Sequence, residues 1–156
     1  MDARLNPTAT VIGPKAIKHL VSADHALAAS TVPNATRELM KMRASQINGC
    51  GACLDMHVKE ALLAGEDPLR VNLVSTWRET TVFTEAERAA LELTEQGSRL
   101  ADGGRVTDEA WAEAARHYDE EELTALVSVV AIINAFNRVN VMLGIRGGDY
   151  EPGHLG

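Results

Sequence analysis

No stretch of this 156-residue chain alternates apolar and polar residues with the period of two that a half-buried strand requires. That absence leaves helices as the only regular way to satisfy the backbone. Composition points the same way. Alanine supplies 23 of the 156 residues, while β-branched and aromatic residues are used sparingly. Turn and cap signals then divide the chain into about seven helical pieces.

Residues 1–13, with Pro7 and Gly13, read as an extended arm. A helix over about 14–29 follows, with Pro14 at its first position. Pro33 and Asn34 break and recap the chain before a helix of about 35–47. After an Asn48-Gly49 turn, a third helix runs from about Cys50 to Gly65. Asp67-Pro68 opens a short helix through about Trp77, and a Thr84/Glu87 capping box starts one of about 85–100. Thr107 caps a helix of about 108–117, and Asp119 with Glu122 opens the last, about 120–143, which stops at Gly144. The glycine-rich tail 146–156 is expected to fray. The expectation is an all-α, compact single domain over 1–156, a bundle of six or seven helices large enough to bury roughly 70% of its unfolded surface.

The net charge of −7 and pI near 5.2 come without any basic stripe, which argues against nucleic acid as a partner. The N-terminal residues contain no apolar signal core. The longest apolar-rich run, 125–136, is too short to span a bilayer and is broken by Ser128 and Asn134. A soluble cytoplasmic protein is expected, with no membrane partner. In a reducing compartment, two close cysteines point to redox chemistry or metal ligation before a structural staple.

The last helix is apolar nearly all round, from Leu123 through Val130 and Ile133 to Met142. Such a helix is either central or half-buried in a subunit contact, and it predicts a closed homo-oligomer. Asn134, Asn137 and Asn140 recur along it, with Arg138 beside them. A polar seam between packed helices is the simpler account; the alternative has one of these side chains facing an active-site pocket.

The chemistry concentrates between Glu38 and Gly65. Cys50, Cys53 and His57 stand at relative positions 0, 3 and 7, so on a helix they share one face within about 60°. Near a helix N-terminus the dipole and free N–H groups favour thiolate over thiol. His57, one turn beyond Cys53, can take the thiol proton directly or through a water. If the two helices turn back at 48–49, residue 38 falls level with residue 59, about 3 Å along the axis from His57. Glu38 can then orient His57 and raise its basicity. The proposed order is Glu38–His57–Cys53, with Cys50 as resolving thiol.

Other accounts of these residues remain open. A Cys50–Cys53 disulfide closes too small a loop to be a useful staple. Two inert buried cysteines are possible chemistry for any core. Zinc on two Cys and one His with an open position is the main competitor, although structural zinc needs a fourth ligand and no second CxxC exists. A thioredoxin-type site is excluded by the missing βαβ framework. No metal and no cofactor is the expectation. His19, His25, His117 and His154 read as solvated, and Trp77-Arg78-Glu79 as an aromatic anchor with a surface ion pair. The acidic run 119–122 is helix-cap chemistry.

The spacing of Glu38, Cys50, Cys53 and His57 resembles the core motif of the AhpD-like alkylhydroperoxidase and carboxymuconolactone decarboxylase superfamily. Arg43 through Cys50, Asp55-Met56-His57, Trp77-Arg78-Glu79 and Asn134 through Arg138 resemble a CxxC-containing short subgroup, so the likeness covers about 37–140. It implies an all-helical fold assembling as trimers or hexamers, and peroxide reduction through a Cys-Cys disulfide cycle. It assigns Cys53 as the attacking thiolate, Cys50 as resolver, and Glu38 with His57 as the proton relay. One departure stands out: the founding peroxidase has a histidine between its cysteines, where this chain has Gly51-Ala52.

The expected function is therefore a thiol peroxidase acting on small hydroperoxides and restored by a dithiol or protein reductant. Two alternatives are a redox-sensing oligomeric module without turnover, and a lactone decarboxylase-type enzyme using His57 and Glu38 alone.

Overall fold

The computed structural model describes residues 3–154, and among them every regular element is a helix. Seven α-helices run in the order α1 (Ile12–Ala26), α2 (Asn34–Asn48), α3 (Gly51–Leu63), α4 (Pro68–Leu73), α5 (Glu85–Ser98), α6 (Asp108–Ala115) and α7 (Glu120–Leu143). The expected Thr84/Glu87 capping box forms at the head of α5, and Asp119 with Glu122, expected to open α7, forms a second one there. Gly144 closes α7 in the left-handed conformation, φ 70°.

α2 is the hub. It packs on α3, α5 and α7, while α5 also packs on α6 and α7. One core fills the space between α2, α5, α6 and α7, around Met40, Leu93, Leu126 and Val129. A second lies between α2, α3, α4 and α5, around Leu39, Met42, Val74, Trp77 and Phe83. A small third cluster joins Ala44 of α2, Cys50 and Cys53 around α3, and Ile133 of α7. The cysteines thus sit at the junction of the three helices that hold the chain together. Leu126 is fully enclosed, so truncation to Ala would cost about 2–5 kcal/mol.

The chain ends depart from expectation. Residues 1 and 2 of the expected arm lie outside the described residues, and 3–13 are not extended through to Gly13. A 3₁₀ turn forms at Pro7–Ala9, capped by the Asn6 side chain accepting from the Thr8 N–H at 3.0 Å. The Gly13 N–H donates to Thr10 Oγ1, and α1 begins at Ile12, placing Pro14 third rather than first. Gly13 is required because a Cβ there would lie 2.0 Å from the Pro7 carbonyl oxygen. The described part of the tail, 146–154, is likewise docked rather than frayed. Asp55 of α3 accepts from the Gly148 and Tyr150 N–H groups, and Glu60 accepts from the Gly153 N–H and the Tyr150 hydroxyl. Desolvation, and then the hydrogen bond to Glu60, push the pKa of the Tyr150 hydroxyl up to about 12.

Smaller differences have local causes. α1 ends at Ala26 and continues as a 3₁₀ turn to Ala29. Asn34 does not cap α2; it is the first residue of that helix, and its side chain accepts from Arg37. The short helix after Pro68 becomes 3₁₀ at Val74–Glu79. By length and hydropathy α7 as a whole, 24 residues, could cross a membrane, although 125–136 alone could not. Here it is a packing helix with 33% of its most apolar window buried, leaving Val127, Val141 and Met142 exposed.

Candidate active site

The site begins with a turn. Gly49 ends α2 at φ 67°, a conformation that favours glycine, and the Cys50 N–H donates to the Ser45 carbonyl at 2.9 Å. The chain reverses in two residues, and Cys50 becomes the N-cap of α3, its sulfur accepting from the Cys53 N–H at 3.3 Å. Cys50 and Cys53 are joined in a disulfide with Cα atoms 5.4 Å apart, both buried at 2% exposure. The turn is braced from α7: Asn48 donates to Asn134 and Asn137, both at 2.9 Å. Asn137 donates in turn to Ser45, and Asn134 to Ser98. These two asparagines form the polar seam expected of them. Arg138 donates to the Asn134 carbonyl and belongs to the same seam.

Asn140 does not. Its Nδ2 donates to Cys53 Sγ at 3.3 Å, from the face of α7 that looks onto the cysteine. The alternative account of the asparagine series thus holds for this one residue.

The hairpin places Glu38 beside His57, with Nδ1 and Oε2 2.8 Å apart and both residues buried. A carboxylate can only accept, so Nδ1 carries the hydrogen and Nε2 is left to take a proton. The other carboxylate oxygen, Oε1, lies 3.3 Å from Lys41 Nζ, which also donates to Asp24 of α1 at 2.9 Å. Burial pushes the Glu38 pKa up, but the His57 hydrogen bond and charge, and then Lys41, outweigh it and hold it below the ordinary carboxylate value.

Cys53, His57, Lys41 and Asn140 line a cavity of about 260 Å³. The rest of its wall is largely apolar: Ile17 and Val21 from α1, Ile133, Phe136 and Val139 from α7, and Met56 from α3. Asp24 and His25 of α1 border it as well.

A model of the carboxymuconolactone decarboxylase family matches residues 14–96. The chain belongs to that family. It is 37% identical over 135 residues to the uncharacterized protein YdfG of Bacillus subtilis (strain 168), covering 86% of this chain and 91% of that one. A crystal structure from Agrobacterium tumefaciens, of a protein of unknown function proposed as the antioxidant defence protein AhpD, superposes with a TM-score of 0.86. The two chains are 32% identical, over 96% of this chain and 100% of the other. The debrominase Bmp8 shares the fold at a TM-score of 0.70 and 24% identity, over 78% of this chain and 64% of that one.

All four predicted residues of this carboxymuconolactone decarboxylase-family chain, Glu38, Cys50, Cys53 and His57, gather at one place. Lys41 and Asp24 were not anticipated there, and Asn140 was one of four candidates on its helix. The spacing of Glu38 and Lys41 puts them on one helix face, a signal indistinguishable from an ordinary surface pair until burial is known. His19, His117 and His154 are exposed, as expected; His25 is exposed yet borders the cavity.

Proposed function

We propose that the protein is a thiol-dependent peroxidase that reduces small organic hydroperoxides through a Cys50/Cys53 dithiol–disulfide cycle. The observation carrying this reading is that Cys53 and His57 share one largely apolar cavity, with Glu38 2.8 Å behind the imidazole. In the dithiol form, Cys53 transfers its proton to His57 Nε2, and Glu38 offsets the charge of the imidazolium. The thiolate attacks the hydroperoxide, the O–O bond breaks, and the departing alkoxide takes a proton from His57 to leave as alcohol. Cys53 becomes a sulfenic acid. Cys50 then attacks the Cys53 sulfur; water departs and the disulfide forms. An external dithiol supplies two electrons and two protons to restore both thiols.

The apolar lining suits an organic substrate. A cytoplasmic setting supplies the reductant, and the open apolar stripe of α7 supports a closed trimer or hexamer. The absence of an inter-cysteine histidine leaves His57 as the proton acceptor beside Cys53 in this scheme.

The test is consumption of an alkyl hydroperoxide with a dithiol reductant. Cys53→Ser should abolish it. Cys50→Ser should oxidise once, to a trapped sulfenic acid, and then stall. Wild-type turnover by Cys50→Ser would remove the resolving role. Activity on a lactone that survives replacement of both cysteines would favour the decarboxylase-type alternative, and redox cycling of the pair without turnover would favour a sensor.

A further inference from the structure

Lys41 is the one buried lysine among the described residues. It sits in the middle of α2, 8% exposed, on a surface where an apolar side chain would pack more cheaply. Its ammonium is flanked by Glu38 Oε1 at 3.3 Å and Asp24 Oδ2 at 2.9 Å, and it lines the same cavity as Cys53 and His57. Glu38 therefore divides its two oxygens between Lys41 and His57. Asp24 belongs to α1, a helix with no fully buried side chain, and that helix supplies one wall of the cavity.

We propose that Lys41 is a positioning residue of the site: acting through Glu38, it keeps the carboxylate ionised against His57 and so favours loss of the Cys53 proton, while Asp24 moderates the charge it delivers. This rests on the thiol chemistry proposed above. The charged and titratable groups around Lys41 are Asp24 and His25 from α1, Glu38 from its own helix, and His57 with Cys53 from α3. Glu60 of α3 also feels the charge of Glu38. α7 presents the neutral Asn140. Removing the ammonium leaves two carboxylates facing a site that must hold a thiolate. The carboxylate then tends to protonate, and the thiolate becomes harder to form. Removing Asp24 does the opposite, since Lys41 then serves Glu38 alone. A purely structural lysine would predict no such opposition; both changes would only loosen the fold.

The experiment measures the rate at which iodoacetamide alkylates Cys53 as a function of pH, in the reduced protein with Cys50→Ser to leave one thiol. Lys41→Met should raise the midpoint by on the order of one pH unit, making alkylation about tenfold slower below it, with recovery at high pH. Lys41→Arg should restore the parent profile. Asp24→Asn should lower the midpoint. In a Glu38→Gln background, Lys41→Met should add little. Midpoints that stay put in folded variants, or that move in the same direction for Lys41→Met and Asp24→Asn, would overturn the proposal. Should Lys41→Met fail to fold, Asp24→Asn still decides, because an unchanged or raised midpoint there is fatal. The readout involves no peroxide. A wild type that does not consume hydroperoxide sinks the peroxidase reading alone, and unmoved midpoints beside full turnover sink only the role of Lys41.

Discussion

Glu38 of α2 and Glu95 of α5 are both buried, and they are held in opposite ways. Glu95 of α5 accepts from Arg43 Nε at 2.7 Å, Trp77 Nε1 at 2.9 Å and Arg78 Nη1 at 2.6 Å. Arg78 also pairs with Glu92 and lies 4.4 Å over the Trp77 ring, with Arg88 at 5.2 Å. Glu38 has His57 and Lys41. Both carboxyls lie below their ordinary value despite burial, which pushes each upward. At Glu95 the Arg78, Trp77 and Arg43 donors outweigh it; at Glu38, His57 and then Lys41 do. Guanidinium and indole groups keep one protonation state near neutral pH, whereas an imidazole can change its own. Glu95 is therefore a bolt between α2, α5 and the 3₁₀ turn before α5. Glu38 is wired to a group that can change its charge beside a sulfur.

The sharpest way to break this comparison is to neutralise each carboxylate in turn. Glu38→Gln keeps the shape and one acceptor oxygen for His57 but removes the charge and the acceptor facing Lys41, and should slow the reaction of Cys53 with hydroperoxide by about 10–100-fold near neutral pH, partly recovered at high pH. His57→Ala should cost at least as much, and the double change little more, because the two act as one unit. Fully additive losses in stopped-flow measurements would mean that the two are not coupled.

Glu95→Gln should do the reverse. We expect a loss of about 2 kcal/mol in chemical denaturation, moderated because Arg78 is partly exposed, with the rate per folded molecule kept. A Glu95 variant that melts normally but reacts slowly would reverse the two roles.

A smaller, shared effect should appear in acid. A depressed carboxyl pKa contributes stability that is present above the unfolded value, ordinarily 4.5 for Glu, and lost as pH falls through the lower folded value. Denaturation midpoints should therefore decline below about pH 4.5. Each Gln variant should flatten that decline, and a slope unchanged in both would place the acid sensitivity elsewhere.

The pairing of Glu38 with His57 could be anticipated because two rigid helices joined by a two-residue reversal have a predictable register, and Asn48-Gly49 announces the reversal. Lys41 could not be, since its burial depends on where α1 docks. Trp77 is the expected anchor, but Arg78 pairs with Glu92 and Glu95 of α5 instead of its neighbour Glu79. Partners distant in sequence decide such contacts, and local spacing is silent on them. The asparagines on α7 divide for the same reason: positions 134 and 137 turn toward α2 and α5, and 140 toward Cys53.

The tail lies along α3 mainly by its peptide groups. Asp55 and Glu60 receive backbone N–H donors from Gly148, Tyr150 and Gly153, and Lys59 donates to the carbonyls of Gly148 and Tyr150. Recognition of this kind reads chain path and largely ignores side chains, so many substitutions here should be silent. Four positions are exceptions, two of them because Gly148 at φ 127° and Gly153 at φ 97° hold a backbone conformation that favours glycine. Tyr150 contributes its hydroxyl to Glu60, and a Cβ at Gly147 would fall 2.4 Å from the Gly51 carbonyl oxygen and 2.9 Å from Asp55 Cβ. In a library randomised over 146–153 and selected for a fold that keeps this segment seated, many residues should be recovered at 146, 149, 151 and 152. Glycine should dominate at 147, 148 and 153 and tyrosine at 150, a pattern of four fixed letters in otherwise free text, written partly by the backbone's own path and partly by the helix that carries the cysteines.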